Sequence, residues 1–383
     1  MFWGSTATIV YTYVLFPVLV LLRSVLRPRP ISTGAITPSV SVIIAAYNEA
    51  AGIAQKLDNL LALDYPTDRL QIVVASDGSS DATNSILGSY VGRGVTPLFL
   101  PRSGKSRALN AAAAAAGGDV LVFSDANSIF AHGALRALVR PFADPNVGGV
   151  AGNQVYWAGT EGDATTVGER RYWNFDRLLK AAQSRAGSVT GATGAIYAVR
   201  RELFREIPPG VNDDFITSLR VVEQGYRLVF ARDAIAYEPV GASRDVEFER
   251  KVRIMTRGLH CTVAIPKLLD PRRYGFFSLQ LISHKLLMRA MAPFLVLAAV
   301  SAVGLSRRHW VYLAAGATQL AFYTCALIGL LFARRDLGRR KPFALPAYFC
   351  FVTAASVRAW WNVLRAQRVD LWATQRGGGE SSE

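Results

Sequence analysis

Four long apolar stretches set the first constraint on this chain. Thr6 to Leu22 is almost wholly apolar, and Leu286 to Leu305, Trp310 to Ala333 and Phe343 to about Val357 follow near the other end. The first has about the minimum length of a membrane-spanning helix. No basic residue precedes it and no small-residue cleavage pattern follows, so it reads as a retained anchor rather than a signal peptide. Arg23, Arg27 and Arg29 follow it, and Arg334, Arg335, Arg339, Arg340 and Lys341 lie between the last two stretches. Basic flanks of this kind mark the cytoplasmic side. A strict count of spans leaves the C-terminus outside, whereas Arg365, Arg368 and Arg376 favour the inside; the two indications conflict. Arg289 and Arg358 fall in or beside apolar stretches, where a charge at the bilayer centre costs about 2.5–3.5 kcal/mol. Both are therefore expected near an interface or facing protein, and Trp360 and Trp361 suit an interface.

The formal charge of +15, from 43 basic and 28 acidic residues, fits a membrane protein with a basic cytoplasmic side or a nucleic-acid binder. The uneven hydropathy selects the membrane, and no nucleic acid is expected. Cys261, Cys325 and Cys350 have neither zinc spacing nor a disulfide framework.

Between the apolar ends, after the stiff linker of Pro28, Pro30 and Pro38, the pattern alternates. Val40–Ala46, Leu70–Ala75, Val95–Leu100, Val120–Phe123 and Val147–Trp157 read as strands. Ala50–Leu63, Ser80–Tyr90, Ser106–Ala116 and Thr165–Arg185 read as helices, with Gly117-Gly118 as a stop. Strands alternating with helices of this length predict an α/β fold with a mainly parallel sheet. A small-residue loop, Gly191 to Gly194, precedes the apolar Ala195–Val199. Asn212-Asp213-Asp214 then opens a helix, its carboxylates favourably placed at the N-terminus. From Arg244 to Leu269 basic residues alternate with Val246, Phe248, Val252, Ile254, Met255 and Leu259, the pattern of a helix lying on a membrane surface.

The run Val120–Phe123 ends in Asp125-Ala126-Asn127. Ligands of open α/β sheets bind beyond the carboxyl ends of the strands. There a carboxylate and an amide oxygen two residues apart suit a hard divalent cation shared with nucleotide phosphates. Asp and Asn also favour turns, so the pair taken alone more often marks a plain turn.

With these residues in view, the sequence resembles the family-2 glycosyltransferases in their membrane-embedded form, related to cellulose and hyaluronan synthases, and among them the non-processive branch. The likeness runs from Val40 to about Arg257 and more loosely beyond. S-V-I-I-A-A-Y-N-E, Ser41 to Glu49, is similar to the opening strand and loop, which implies Ala45, Tyr47 and Glu49 at the nucleotide. V-V-A-S-D-G-S-S-D, Val73 to Asp81, implies Asp77 at the base or ribose. G-K-S-R-A-L-N, Gly104 to Asn110, implies Lys105 near the diphosphate. Asp125 and Asn127 stand at the Asp-x-Asp position, implying nucleotide contact by Asp125 and metal ligation by both, with Mg²⁺ or Mn²⁺ as cofactor. Asp213-Asp214, with Arg220 six residues on, resembles the motif whose second carboxylate is the catalytic base, here Asp214. Gly194, Asp213, Arg250 and Arg253 are implied around the acceptor and diphosphate.

Taken singly, each motif has an ordinary reading: a turn at Asp77-Gly78, a solvated charge at Lys105, a helix cap at Asp213-Asp214, a basic surface at Arg250–Arg253. Their order, each at a strand end or helix start, is what carries the resemblance. Two departures stand out: Asn127 replaces a carboxylate, and Arg250 and Ile254 replace the Gln and Trp of processive synthases.

The resemblance implies an N-terminal span at 5–27, a GT-A glycosyltransferase domain at 38–242, interface helices at 243–284, a transmembrane region at 285–364 and a tail at 365–383. The implied activity is inverting transfer from a nucleotide sugar, expected to be a UDP-sugar, to a lipid-linked or saccharide acceptor. The expected setting is the inner membrane, among membrane lipids, with the catalytic domain cytoplasmic. A processive polysaccharide synthase and a non-catalytic nucleotide-binding membrane protein are the alternatives.

Overall fold

The computed structural model describes residues 1–156, 164–238 and 244–365. Their fold divides into two compact units, one of residues 29–156 with 187–238, the other of 1–28 with 164–186 and 244–365. Three expectations lie outside the described residues: the strand end at Trp157, the domain boundary at 242/243, and the tail with Arg368 and Arg376.

The first unit is an eight-stranded mixed sheet with strand order β3-β2-β1-β4-β7-β6-β8-β5. The strands are β1 Val40–Ala46, β2 Leu70–Asp77, β3 Val95–Leu100, β4 Val120–Phe123, β5 Ile129–Phe130, β6 Val147–Tyr156, β7 Tyr197–Arg200 and β8 Arg227–Glu238. β1 pairs in parallel with β2 and β4, β2 with β3, and β6 with β8. The antiparallel pairings are β4 with β7, β7 with β6, and β5 with β8. β1 and β4 are buried along their whole length, which is why they read as apolar runs, broken only by Ser41, rather than alternating ones. Helix Ile53–Leu61 buries Ile53, Leu57 and Leu60 in one hydrophobic cluster with Val42, Ile44 and Val122 of these strands. Removing side chains of this size from water stabilises the fold by about 1.5–3 kcal/mol each.

The chain steps outward from β1 to β2 to β3, then returns to the other side of β1 as β4. This reversal of strand order opens a crevice beyond the carboxyl ends of β1 and β4. The loops that follow them, Tyr47–Ala50 and Ser124–Ser128, are therefore the ones that line it.

Among its described residues the second unit has four helices long and apolar enough to cross a membrane: Phe2–Leu26, Phe276–Leu305, Trp310–Leu331 and Lys341–Leu364. It also holds two more polar helices, Ala164–Ala186 and Arg244–Ala264. The amphipathic segment expected to reach Leu269 stops being α-helical at Ala264, two residues before Pro266 starts a 3₁₀ turn to Leu269. A proline lacks the backbone donor that would continue the helix. Helix Arg244–Ala264 buries Val252 and Leu259 and leaves Ile254 exposed. Its charges form a cluster in which Lys251 lies 2.9 Å from both Glu169 and Glu247, and Arg250 lies 2.8 Å from Glu247.

Candidate functional site

The loops after β1 and β2 are laced together. The amide of Asn48 donates to Ser79, that of Glu49 to Thr83 and that of Ala50 to Asp81, at 3.1, 2.9 and 3.0 Å. Asn48 takes a left-handed backbone (φ 51°), a conformation Asn tolerates better than most residues, and its side chain accepts from the Ser80 amide at 2.8 Å. Ala45 and Glu49 are buried here, and Tyr47 is half-buried.

Asp77 ends β2 fully buried. Both its oxygens are engaged by the segment before the next helix. They accept from the Arg102 guanidinium, from the Ser103 amide at 2.7 Å and from the Gly104 amide at 3.0 Å. Asp77 therefore shapes this loop, a role the sequence reading did not give it beside that of holding base or ribose. Arg102 in turn lies 3.4 Å above the centre of the Tyr47 ring. Gly78 makes this approach possible, since a Cβ there would meet the Arg102 backbone at 2.7 Å.

Helix Lys105–Ala114 begins at Gly104 (φ 96°) and points its first side chain into a ring of carboxylates. The Lys105 ammonium lies 2.7 Å from Asp125 at the end of β4 and 3.2 Å from Asp213 at the start of helix Asp213–Glu223. Burial works against this charge, but Asp125 and Asp213, with Asp214 behind, hold the lysine pKa above its ordinary value. Asp214 follows in the same helical turn and keeps some exposure. Burial, reinforced by Asp213 and Asp125 and opposed by Lys105, pushes its carboxyl up to about 7. A carboxylate poised there accepts a proton near neutral pH.

The loop Gly191–Gly194 closes the ring. The Asp125 amide donates to the Gly194 carbonyl at 3.0 Å, and a Cβ at Gly194 would come within 2.7 Å of the Asp125 carboxylate. The Ala192 amide donates to Ser218, whose hydroxyl donates to the Asp214 carbonyl, so loop and helix are held as one piece. Behind them Tyr197 is fully buried against Phe123, ring centres 4.9 Å apart, and burial with Asp213 and Asp214 raises its pKa well above that of an ordinary tyrosine.

A divalent cation fits these residues. Asn127 is half-buried beside Asp125, and its amide makes no hydrogen bond to another side chain or backbone group among the described residues. Those residues contain no cluster of three or more His, Cys, Asp or Glu that would cage a metal outright. Mg²⁺-type ions need no such cage when substrate phosphates supply the remaining oxygens.

The structure thus gathers Ala45, Tyr47, Glu49, Asp77, Lys105, Asp125, Asn127, Gly194, Asp213 and Asp214 in the sheet unit. Arg250 and Arg253 belong to the helical unit, where Arg250 is paired with Glu247 and Glu169.

Lys56 is a member of this region that the sequence reading passed over. It is fully buried beneath the Asp125 turn, donating to the Ser124 hydroxyl at 2.8 Å and the Ser128 carbonyl at 2.5 Å, with its ammonium 4.1 Å over Phe130. Burial lowers its pKa from 10.5 to about 7, against the pull of Asp125 and Glu238. Between those values the unfolded chain binds a proton that the folded one does not, so this group makes stability rise with pH from about 7 to 10.5. Thermal unfolding midpoints measured across that window should rise for the natural chain and rise less for Lys56→Met. Equal slopes would show that Lys56 is charged in the fold throughout.

Comparison with known proteins agrees with this geometry. Residues 41–208 match Glycosyl transferase family 2, a stretch that ends just before Asp213. An N-acetylglucosaminyltransferase of Rhizobium sp. (strain N33) is 30% identical over 219 residues, covering 52% of this chain and 48% of that protein. A beta-monoglucosyldiacylglycerol synthase of Trichormus variabilis is 29% identical over 185 residues, covering 47% of this chain and 39% of that protein. The chain spans about half the length of such relatives. Among solved structures, a mannosyltransferase from Pyrobaculum calidifontis, in complex with GDP-Man and Mn²⁺, superposes with a TM-score of 0.69 at 25% identity, covering 94% of this chain and 98% of that one.

Proposed function

We propose that this chain, whose residues 41–208 are a family-2 glycosyltransferase domain in a GT-A fold, transfers a sugar from a nucleotide-sugar donor to a lipid-linked acceptor with inversion at the anomeric carbon. The observation that carries the reading is the ring formed by Asp125, Lys105, Asp213 and Asp214 at the switch point of the sheet. A sugar nucleotide already has a good leaving group, so the protein's task is to position, deprotonate and neutralise.

Asp214 accepts the proton of the acceptor hydroxyl as that oxygen attacks the anomeric carbon. The bond to the diphosphate breaks as the new bond forms, and Lys105 stands where it offsets charge growing on the leaving group. Asp125 and Asn127 would hold Mg²⁺ or Mn²⁺, which when bound supplies further positive charge to the diphosphate. Tyr47 and Glu49, with the loop shaped by Asp77 and Arg102, line the nucleotide end. Arg250 and Arg253 are assigned to the acceptor and diphosphate by resemblance.

The four apolar helices support a membrane setting, with the basic flanks of the first and the last two turned to the cytoplasm. A non-catalytic nucleotide sensor would need no base, and the pair Asp213-Asp214 beside Lys105 favours an enzyme. Purified protein in native-lipid vesicles, screened against UDP- and GDP-sugars, should release nucleoside diphosphate from one donor class; release from none of them removes the reading.

Chelation is expected to stop transfer, and Mg²⁺ or Mn²⁺ to restore it. Asn127→Asp should lower the metal concentration needed, because it adds a charged oxygen ligand. Full turnover in excess chelator would take the metal out of the reaction.

A further inference from the structure

The helical unit holds a cavity of about 810 Å³ that the transfer chemistry does not use. It is walled by Phe248 of helix Arg244–Ala264, by Arg289, Ala290, Ala292 and Pro293 of the second apolar helix, and by one face of the last between Ala354 and Leu364. Most of the wall is apolar, yet it includes two arginines, Arg289 and Arg358, and two tryptophans, Trp360 and Trp361. These are the charges that fit poorly in simple spans.

Their surroundings place them at a membrane boundary. Arg289 sits where the second apolar helix passes through a 3₁₀ turn, Met288–Ala290, before the regular segment Met291–Leu305. The Trp360 indole donates to the Arg289 carbonyl at 3.1 Å, so both features share one level. Phe248 adjoins the ion cluster of Glu247, Arg250, Lys251 and Glu169, a group too polar for the hydrocarbon centre. The Arg289 guanidinium packs on Gly258, where a Cβ would lie 2.8 Å from it. Arg358 is exposed, with no hydrogen bond or ion pair to protein among the described residues.

We propose that this cavity binds a membrane lipid through a phosphate headgroup, with Arg358 and Arg289 on the phosphate and the apolar wall on the chain. Guanidinium groups match phosphate oxygens in paired hydrogen bonds, and charge complementarity at an apolar-walled boundary selects an anionic amphiphile over a neutral one. Trp360 and Trp361 mark the headgroup level. The inference is independent of the transferase reading and survives its failure.

The test uses the full chain in nanodiscs with two photoactivatable probes of identical acyl chains, one diacylglycerol phosphate and one diacylglycerol, and maps the labelled residues. The phosphate probe should label the cavity wall at least about fivefold more than the neutral probe. Arg358→Gln should bring the two together, and Arg358→Lys should keep part of the difference. Unfolding midpoints equal to the natural chain's confirm that the variants are folded, and Arg289→Gln, whose guanidinium packs on a neighbouring helix, serves as the second variant. Equal labelling by both probes, or labelling unaffected by both Gln variants, overturns the proposal. Inorganic phosphate should not compete; full displacement by it would show a free-phosphate site and overturn the lipid assignment.

Discussion

Asp214→Asn should abolish sugar transfer while leaving nucleotide binding unchanged. The amide keeps the shape of the side chain and its place in the first turn of helix Asp213–Glu223, but it cannot accept a proton. Removing a positioned base costs about 10²- to 10⁴-fold in rate. Binding should persist because the residues proposed to line the nucleotide end, Tyr47, Glu49 and the Asp77 loop, are untouched. Turnover is read as nucleoside diphosphate release and binding by calorimetry on the same preparation. A variant retaining more than about a tenth of natural turnover would place the base elsewhere.

Lys105→Ala should have the next largest effect, and it has two separable parts. The first is a fall in kcat of about 10²- to 10³-fold, the scale expected when one preorganised positive group is withdrawn from developing charge. The second is a change in pH dependence. Asp214 must be deprotonated to act, so for the natural chain the rate rises with pH and levels off above about 7. Lys105 opposes the upward shift of Asp214, and without it the carboxyl holds its proton to higher pH. The acid limb should therefore move upward in Lys105→Ala and largely return in Lys105→Arg, which keeps the charge. A profile that falls in height without moving would separate Lys105 from the base.

Much of the candidate site is legible in the sequence, because its residues sit at the ends of elements with strong local signals. The run Val40–Ala46 matches β1 to the residue, and Val120–Phe123 matches β4, since strands buried on both faces are almost wholly apolar, Ser41 being the one polar member. β8 and the short β5 were not anticipated. Arg227–Glu238 carries Arg232 and Asp233 in mid-strand, at an irregularity in its pairing with β6, which breaks the alternation that would announce a strand. Ile129–Phe130 is too short for any period to show. The mixed directions of β7 and β5 depend on long-range pairing that no local pattern encodes.

Lys56 shows a different kind of failure. A lysine in a helix reads as solvated, yet it falls three residues after Ile53 and four before Leu60, on the helix's apolar face. That spacing was a usable signal. Arg102 lies two residues before the G-K-S-R segment and repeats no pattern, so only the fold reveals its contact with Asp77 and Tyr47. Arg250 and Arg253 follow the motif order in sequence and lie in the helical unit, as the basic, apolar-studded pattern from Arg244 onward already indicates; the pairing of Arg250 with Glu169 and Glu247 is what only the fold reveals.

The central claim is a single displacement with Asp214 as base, and the configuration of the product tests it most directly. With an α-linked donor identified by the nucleotide-release screen, the product's anomeric proton is followed by NMR during a single turnover. A β-glycoside formed from the first detectable product is the predicted result. An α-glycoside would require a second displacement or a front-face path, and would contradict the assignment of Asp214.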